Sequence, residues 1–78
     1  MDSTIRIYEP EIKGEVSFYY CDVLYDDDDN PTYLEGVFTA DDGWSRWAHL
    51  EFEDGVPALL SLYGVSGEWE DEYYLNDY

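Results

Sequence analysis

The sequence has 78 residues, with 20 Asp and Glu against three Lys and Arg, and its formal charge at pH 7 is −17. Because domains usually have about 100–200 residues, this length excludes a second domain and predicts one domain over residues 1–78. Acidic chains are often disordered, but 45% of these residues are apolar and 19% aromatic, which predicts a folded protein. The charge excludes direct binding to nucleic acid or to an anionic membrane and predicts a positively charged partner.

The chain shows no targeting or membrane signal. It opens Met1-Asp2-Ser3 without a basic region or an apolar run of signal-peptide length, and no stretch approaches the 18 apolar residues of a membrane span. Cys21 is the one cysteine, so no internal disulfide can form, which suits a reducing compartment. We therefore expect a cytoplasmic protein.

The first half of the chain predicts two strands and an acidic turn. Residues 4–8 alternate with period two, and Pro10 closes this segment, which indicates an edge strand. Residues 15–25 are rich in Val, Phe and Tyr and predict a central strand covered on both faces. One face should then carry Val16, Phe18, Tyr20 and Leu24, and the other Tyr19, Cys21, Val23 and Tyr25.

The next segments continue this pattern. The run Asp26-Asp27-Asp28-Asp29-Asn30-Pro31 combines turn formers with like charges and predicts a solvated loop. Residues 33–39 predict a further long strand, in which Gly36 indicates a bulge or the close approach of another backbone. The loop also invites comparison with a calcium loop, but Pro31 and Val37 stand where that motif needs Gly and Glu, so we expect no specific calcium site.

The second half predicts a hairpin and one ambiguous segment. Residues 44–53 alternate cleanly, with Ala48, Leu50 and Phe52 on one side and Trp47, His49, Glu51 and Glu53 on the other. Asp54-Gly55 is a favoured type I′ pair, so residues 56–65 should pair back as a strand, with a short helix as the weaker alternative. Residues 68–75 fit a strand or a short helix equally well. The predicted fold is mainly β, an antiparallel sheet of about five strands, with α+β as the alternative.

Catalysis has little support in this sequence. His49 is the one histidine, and Cys21 has no basic neighbour that would lower its thiol pKa, so a buried structural cysteine is the better interpretation. A chain of this length is also a poor source of the enclosed pocket that paired carboxylates need. With no phosphate-binding glycine loop and no zinc spacing, we expect neither an enzyme nor a cofactor or metal.

The distribution of the acidic residues then indicates the candidate function. If residues 68–75 form a strand, Glu68, Glu70 and Glu72 stand about 6.6 Å apart on one face, close to two steps of the roughly 3.4 Å phosphate spacing along a DNA strand. Such a carboxylate array can occupy a groove built for phosphates. The candidate partner-binding residues are Asp26, Asp27, Asp28, Asp29, Glu51, Glu53, Asp54, Glu68, Trp69, Glu70, Asp71, Glu72, Tyr73 and Tyr74.

Two further considerations rank these residues. The C-terminal group should contribute more than the Asp26–Asp29 loop, because a mobile loop loses entropy for each contact that it makes. An acidic surface also arises by adaptation to high salt, which needs few large aromatic residues. This chain has nine Tyr and three Trp, more than a core of its size requires. Exposed Tyr and Trp are typical of binding hot spots, which favours an interface over a merely hydrated surface.

In length, charge, single-domain character and lack of a catalytic signature, the whole chain resembles the small acidic DNA-mimic proteins of phages and mobile elements. The nearest class is the anti-CRISPR inhibitors, with anti-restriction proteins less close, and Asp26–Asp29 and Glu68–Glu72 look like the carboxylate arrays of such mimics. The resemblance implies a host-cytoplasmic inhibitor of the DNA- or PAM-binding surface of a type I CRISPR-Cas complex. The alternative is an acidic immunity or adaptor protein for a basic partner such as a nuclease toxin or restriction enzyme.

Overall fold

The alternating segments of the sequence form a six-stranded sheet. The computed structural model describes residues 1–64, 67 and 70–75. Its strands are β1 (Ser3–Tyr8), β2 (Lys13–Tyr25), β3 (Pro31–Ala40), β4 (Ser45–Glu53), β5 (Val56–Tyr63) and β6 (Glu70–Tyr74). The described part of the chain holds no helix with the length and apolarity that crossing a membrane requires.

The strands follow one another in an antiparallel meander, in the order β1-β2-β3-β4-β5-β6. The first strand is therefore an edge strand, as the period-two pattern and Pro10 predicted. The sheet curls, so that its two edge strands approach each other: Ile7 of β1 and Leu75 after β6 line one cleft, and Ile12 and Tyr73 line another. A concave face and a convex face result.

The concave face holds the core. Alternate residues of every strand point to it, because side chains of a strand alternate between the two faces. Phe38 on β3 is fully buried, and Leu34 and Leu50, which pair with each other across β3 and β4, have at most 1% of their surface exposed. The other buried apolar residues are Ile7, Ile12, Val16, Phe18, Ala40, Ala48, Leu60 and Leu62.

Strand β2 departs from the prediction that both of its faces are covered. Its register against β3 slips between Phe18 and Val23, so the four residues between them stand opposite little more than Glu35. This bulge reverses the alternation, and Val23 packs on the core where the pattern had placed Tyr20 and Leu24. Those two side chains are instead 60% and 59% exposed.

Cys21 lies in this bulge and is exposed, so the prediction of a buried structural thiol is wrong. The reason is the length of β1, whose pairing with β2 runs only from Tyr8 to Ser3 and ends opposite Phe18. Beyond Phe18 the outer edge of β2 loses its strand neighbour, and no other described strand covers the bulge. The apolar character of the segment was therefore a poor guide to its burial.

The remaining local predictions are confirmed. Of the predicted strand 56–65, residues 56–63 form a strand, and residue 65 lies outside the described residues. Of the segment 68–75, residues 70–74 form a strand and not a helix, and residues 68 and 69 lie outside the described residues. Asp54 and Gly55 both have positive φ, of 54° and 79°, as a type I′ turn requires. A Cβ atom on Gly36 would lie 2.2 Å from the carbonyl oxygen of Ser17, which is the close backbone approach that this glycine indicated.

Candidate partner-binding surface

The convex face of strands β3 to β6 carries acidic and aromatic side chains, and we call it the acidic face. The strand register arranges these side chains in rows. Glu35 pairs with His49, His49 with Ser61, and Ser61 with Glu72. The next row runs through Tyr33, Glu51, Leu59 and Tyr74. Because neighbouring strands lie about 4.8 Å apart, carboxylates from three strands share one surface.

Strand β6 supplies two of these carboxylates. Glu70 pairs with Tyr63 and Glu72 with Ser61, so both lie on the convex side, two residues apart, as predicted. Asp71 lies on the other face, where its carboxylate is 3.6 Å from the guanidinium of Arg46. Glu68 and Trp69, which were also predicted to bind the partner, lie outside the described residues.

The Asp26–Asp29 loop is a compact turn. The Asp26 side chain accepts hydrogen bonds from the amides of Asp28 and Asn30, both at 2.9 Å. The Asp26 amide donates to the Asn30 carbonyl, and the Asp29 amide to the Asp26 carbonyl. The entropy argument that ranked this loop below the C-terminal acids therefore loses its basis, because the turn is already ordered by its own hydrogen bonds.

This turn lies beside the hairpin turn of β4 and β5. A Cβ atom on Gly55 would be only 3.7 Å from the Asn30 side chain, so the Asp26–Asp29 turn and Asp54 are neighbours. Glu53 is the last residue of β4 and adjoins them. We call this group of Asp26–Asp29, Glu53 and Asp54 the acidic end, and it continues the acidic face at one end of the strands.

The three basic side chains of the chain lie near the opposite end, because Lys13 and Arg46 are near the starts of their strands and Arg6 is near the end of β1. Arg6 binds Asp41 at 2.6 Å. Arg6 and Lys13 also lie over the ring of Tyr8, at 6.0 and 5.2 Å, and Arg46 lies over Trp44 at 5.2 Å. We call this the mixed end. Its cations face partners of the same chain, whereas the acidic end consists of carboxylates.

His49 lies at the centre of a short network on the acidic face. The hydroxyl of Tyr63 lies 2.7 Å from its Nδ1, and Oε2 of Glu35 lies 3.4 Å from its Nε2. The rings of Tyr33 and Tyr63 also flank the imidazole, with centroids at 5.2 and 4.6 Å. The hydrogen bond orients the Tyr63 ring and the imidazole relative to each other, and the Glu35 carboxylate lies beside them.

Two tyrosines of this network have raised pKa values. Burial, and then the charge of Glu70, raises the pKa of the Tyr63 hydroxyl above its ordinary value. Burial, followed by the charge of Glu35, raises the pKa of Tyr33 in the same direction.

The aromatic residues of the surface divide into two groups. Tyr74 is 75% exposed and Trp47 is 63% exposed, and both are free to contact another molecule. Tyr73, which was predicted as an anchor, lies on the concave side and packs against the core. Its primary role is therefore in the fold, and Trp47 takes its place among the exposed aromatic residues.

Sequence reasoning did not include Glu35, Trp47, His49 and Tyr63 in the site. The alternation of residues 44–53 had placed Trp47 and His49 on the same side as Glu51, which was the available signal. The contribution of Glu35 and Tyr63 depends on the strand register, because each is 14 residues from His49 in the sequence. Comparisons of this chain with protein-family models, with curated proteins and with solved structures found no match.

Proposed function

We propose that this protein is a DNA-mimic inhibitor, which presents the acidic face and the acidic end to the DNA-binding surface of a basic protein. The target class that we propose is the DNA- or PAM-binding surface of a type I CRISPR-Cas interference complex. In this function the carboxylates take the place of phosphates, and the exposed aromatic residues add contacts that DNA does not supply.

The segregation of charge carries this proposal. Glu35, Glu51, Glu70 and Glu72 lie on one face, and this face continues into Asp26–Asp29 and Asp54. The three Lys and Arg side chains lie near the other end, where aromatic and acidic neighbours engage them. A surface that only needed hydration gains nothing from such a separation, whereas a surface that must meet a basic groove does.

The spacing of the carboxylates supports the same function. Glu70 and Glu72 are two residues apart on one face of β6, which corresponds to about 6.6 Å along the strand. Glu51 and Glu35 are diagonal neighbours on adjacent strands, at a Cβ separation of roughly 7 Å. Both values are close to two steps of the roughly 3.4 Å per-strand rise of duplex DNA. A carboxylate spacing of this size is compatible with a partner whose Lys and Arg side chains are arranged to meet phosphates.

The test is capture of the partner from a host lysate, followed by competition with duplex DNA. We expect that the captured protein binds DNA, that DNA and this protein exclude each other, and that association slows steeply as salt rises. Simultaneous binding of DNA and this protein to one target would contradict mimicry. A captured nuclease toxin or restriction enzyme whose DNA site is blocked would favour the alternative of an immunity protein.

A further inference from the structure

A cleft of about 430 Å³ opens on the acidic face beside the His49 network. Trp47, Tyr63, His49 and Glu35 contribute to its walls. Trp47 and Tyr63 are the residues next to the paired Ala48 and Leu62, so the two aromatic side chains stand on adjacent strands. Tyr63 pairs in turn with Glu70 on β6. The cleft thus combines aromatic surface with carboxylates on two sides.

The polar side chains of this cleft contact one another and still have hydrogen-bond acceptors available to a ligand. With its proton on Nε2, the imidazole of His49 accepts from the Tyr63 hydroxyl through Nδ1, and its Nε2 lies 3.4 Å from Oε2 of Glu35. The second carboxylate oxygen of Glu35 and the lone pairs of the Tyr63 oxygen can still accept hydrogen bonds. The Glu35 side chain is 57% exposed, so a ligand can reach it. These groups favour a ligand that donates several hydrogen bonds.

The negative charge around the cleft favours a positively charged ligand. Glu35 lines the cleft. Glu70 lies next to Tyr63 on the adjacent strand, and Glu72 lies in the same row as Glu35 and His49. The exposed ring of Trp47 offers the face on which a cation binds best. At the mixed end the chain already holds its own cations over Tyr8 and Trp44, whereas Trp47 lies among carboxylates. Among the described residues these cations lie over Tyr8 and Trp44 and not over Trp47, so a cation for Trp47 would come from another molecule.

We propose that this cleft binds the guanidinium group of an arginine side chain of the partner, stacked on Trp47 and paired with Glu35 and Glu70. This inference rests on the proposed function, because arginine is the residue with which DNA-binding proteins contact phosphates and guanines. Arginine fits better than lysine, since its planar group stacks on an indole and donates through a fork that matches a carboxylate.

A model compound tests this proposal without the partner. Nα-acetyl-arginine methylamide is titrated into the uniformly ¹⁵N-labelled protein, and amide and indole N–H shifts are followed by NMR. The expected result is saturable shifts centred on Trp47, His49 and Tyr63, with binding at least about threefold tighter than that of the lysine analogue. The neutral citrulline analogue should cause no such shifts.

Matched variants separate a specific cleft from general attraction to acids. Glu35→Gln and Trp47→Ala should each weaken binding of the arginine compound by about threefold or more. Glu11→Gln removes the same charge near the mixed end, outside the cleft and the acidic end, and should leave the affinity within about twofold. Shifts that are spread over all acidic regions, equal for arginine and lysine, and insensitive to Glu35→Gln would overturn the proposal.

The two proposals fail independently. A partner that competes with DNA but binds the Trp47→Ala and Glu35→Gln proteins as tightly as the native protein would remove the arginine cleft and leave the mimic function intact. If the cleft binds the arginine compound specifically but the partner binds DNA and this protein at the same time, the mimic function is wrong and the arginine cleft remains.

Discussion

The two faces of the sheet are built from alternate residues of the same strands, yet they have opposite chemistry. On the concave face Phe38 and Leu50 are fully buried, and the side chains there are almost all apolar. On the convex face Trp47 is 63% exposed and lies among the carboxylates of the acidic face. The contrast shows that the concave face determines the fold, while the convex face is free to serve another purpose.

The acidic face also destabilises the protein that carries it. Like charges on adjacent strands repel each other, and the net charge of −17 works against a compact state. Selection for stability alone would replace some of these carboxylates with neutral or basic residues. Their retention next to exposed aromatic side chains is typical of surfaces on which stability is sacrificed for binding.

The largest expected effect comes from removing a core side chain on the concave face. Phe38→Ala should lower the free energy of unfolding by about 3–5 kcal/mol, because it leaves a cavity in the core where a fully buried ring stood. Trp47→Ala on the convex face should change it by less than about 1 kcal/mol. Urea unfolding followed by circular dichroism measures both. Equal losses would show that the convex face also holds the fold together.

A smaller effect is expected from the charge of the convex face. Raising the salt concentration from 10 mM to 500 mM should raise Tm by several degrees, since screening over a Debye length of about 10 Å at 0.1 M relieves the repulsion. A Tm that is independent of salt would show that the carboxylates do not destabilise the protein. Scanning calorimetry at the two salt concentrations is sufficient.

The acidic face can be tested separately from the rest of the charge. The triple variant Glu51→Gln, Glu70→Gln and Glu72→Gln reduces the magnitude of the net charge, from −17 to −14. It should raise Tm at low salt by about 2–5 °C and should reduce the salt dependence. If the variant is less stable than the native protein, these side chains make stabilising contacts that the geometry does not show.

A still smaller effect concerns the tyrosines of the acidic face at alkaline pH. Since the pKa of Tyr63 is raised in the folded protein, its contribution to stability is full below the ordinary value of 10.0 and is lost as pH rises through the raised value. Absorbance at 295 nm should show a late-ionising hydroxyl that Tyr63→Phe removes. Glu70→Gln should lower its midpoint, and Glu53→Gln should not.

The smallest effect is expected at the mixed end, where both partners of the Arg6–Asp41 pair are exposed. The hydrogen bond to Arg6 holds the pKa of Asp41 below its ordinary value of 3.8. The resulting stabilisation is present above that value and is lost as pH falls through the lowered pKa. In a ¹³C NMR titration Arg6→Gln should raise the Asp41 midpoint, and Arg46→Gln should leave it unchanged.

Much of the fold could be predicted from the sequence, because it depends on local patterns. The alternation of residues 44–53 placed Ala48 and Leu50 on the core side, and Asp54-Gly55 identified the hairpin turn. The bulge after Phe18 could not be predicted, because it depends on where the pairing of β1 with β2 ends. That length decides whether Tyr20 and Cys21 are covered, and the apolar character of the segment itself carries no information about it.

The site was predictable only in part, for a related physical reason. Glu70 and Glu72 lie two residues apart, so a strand was enough to place them together. Asn30, directly after the Asp26–Asp29 turn, lies beside Gly55 because the register of β3 against β4 brings both turns to the same end of the sheet. The sequence does not show that register. The network around His49 needs the register of three strands at once, so Glu35 and Tyr63 were found only in the structure.

The most direct test asks whether the acidic face, rather than total charge, makes the contact with the partner. It measures association rates of two charge-matched triple variants with the captured target at 50 mM salt. Glu51→Gln, Glu70→Gln and Glu72→Gln should slow association about tenfold or more, because the steering field is removed at the contact surface. Glu11→Gln, Glu15→Gln and Asp42→Asn, near the mixed end, should slow it less than about threefold. Equal slowing by the two variants would contradict the assignment of this face as the interface.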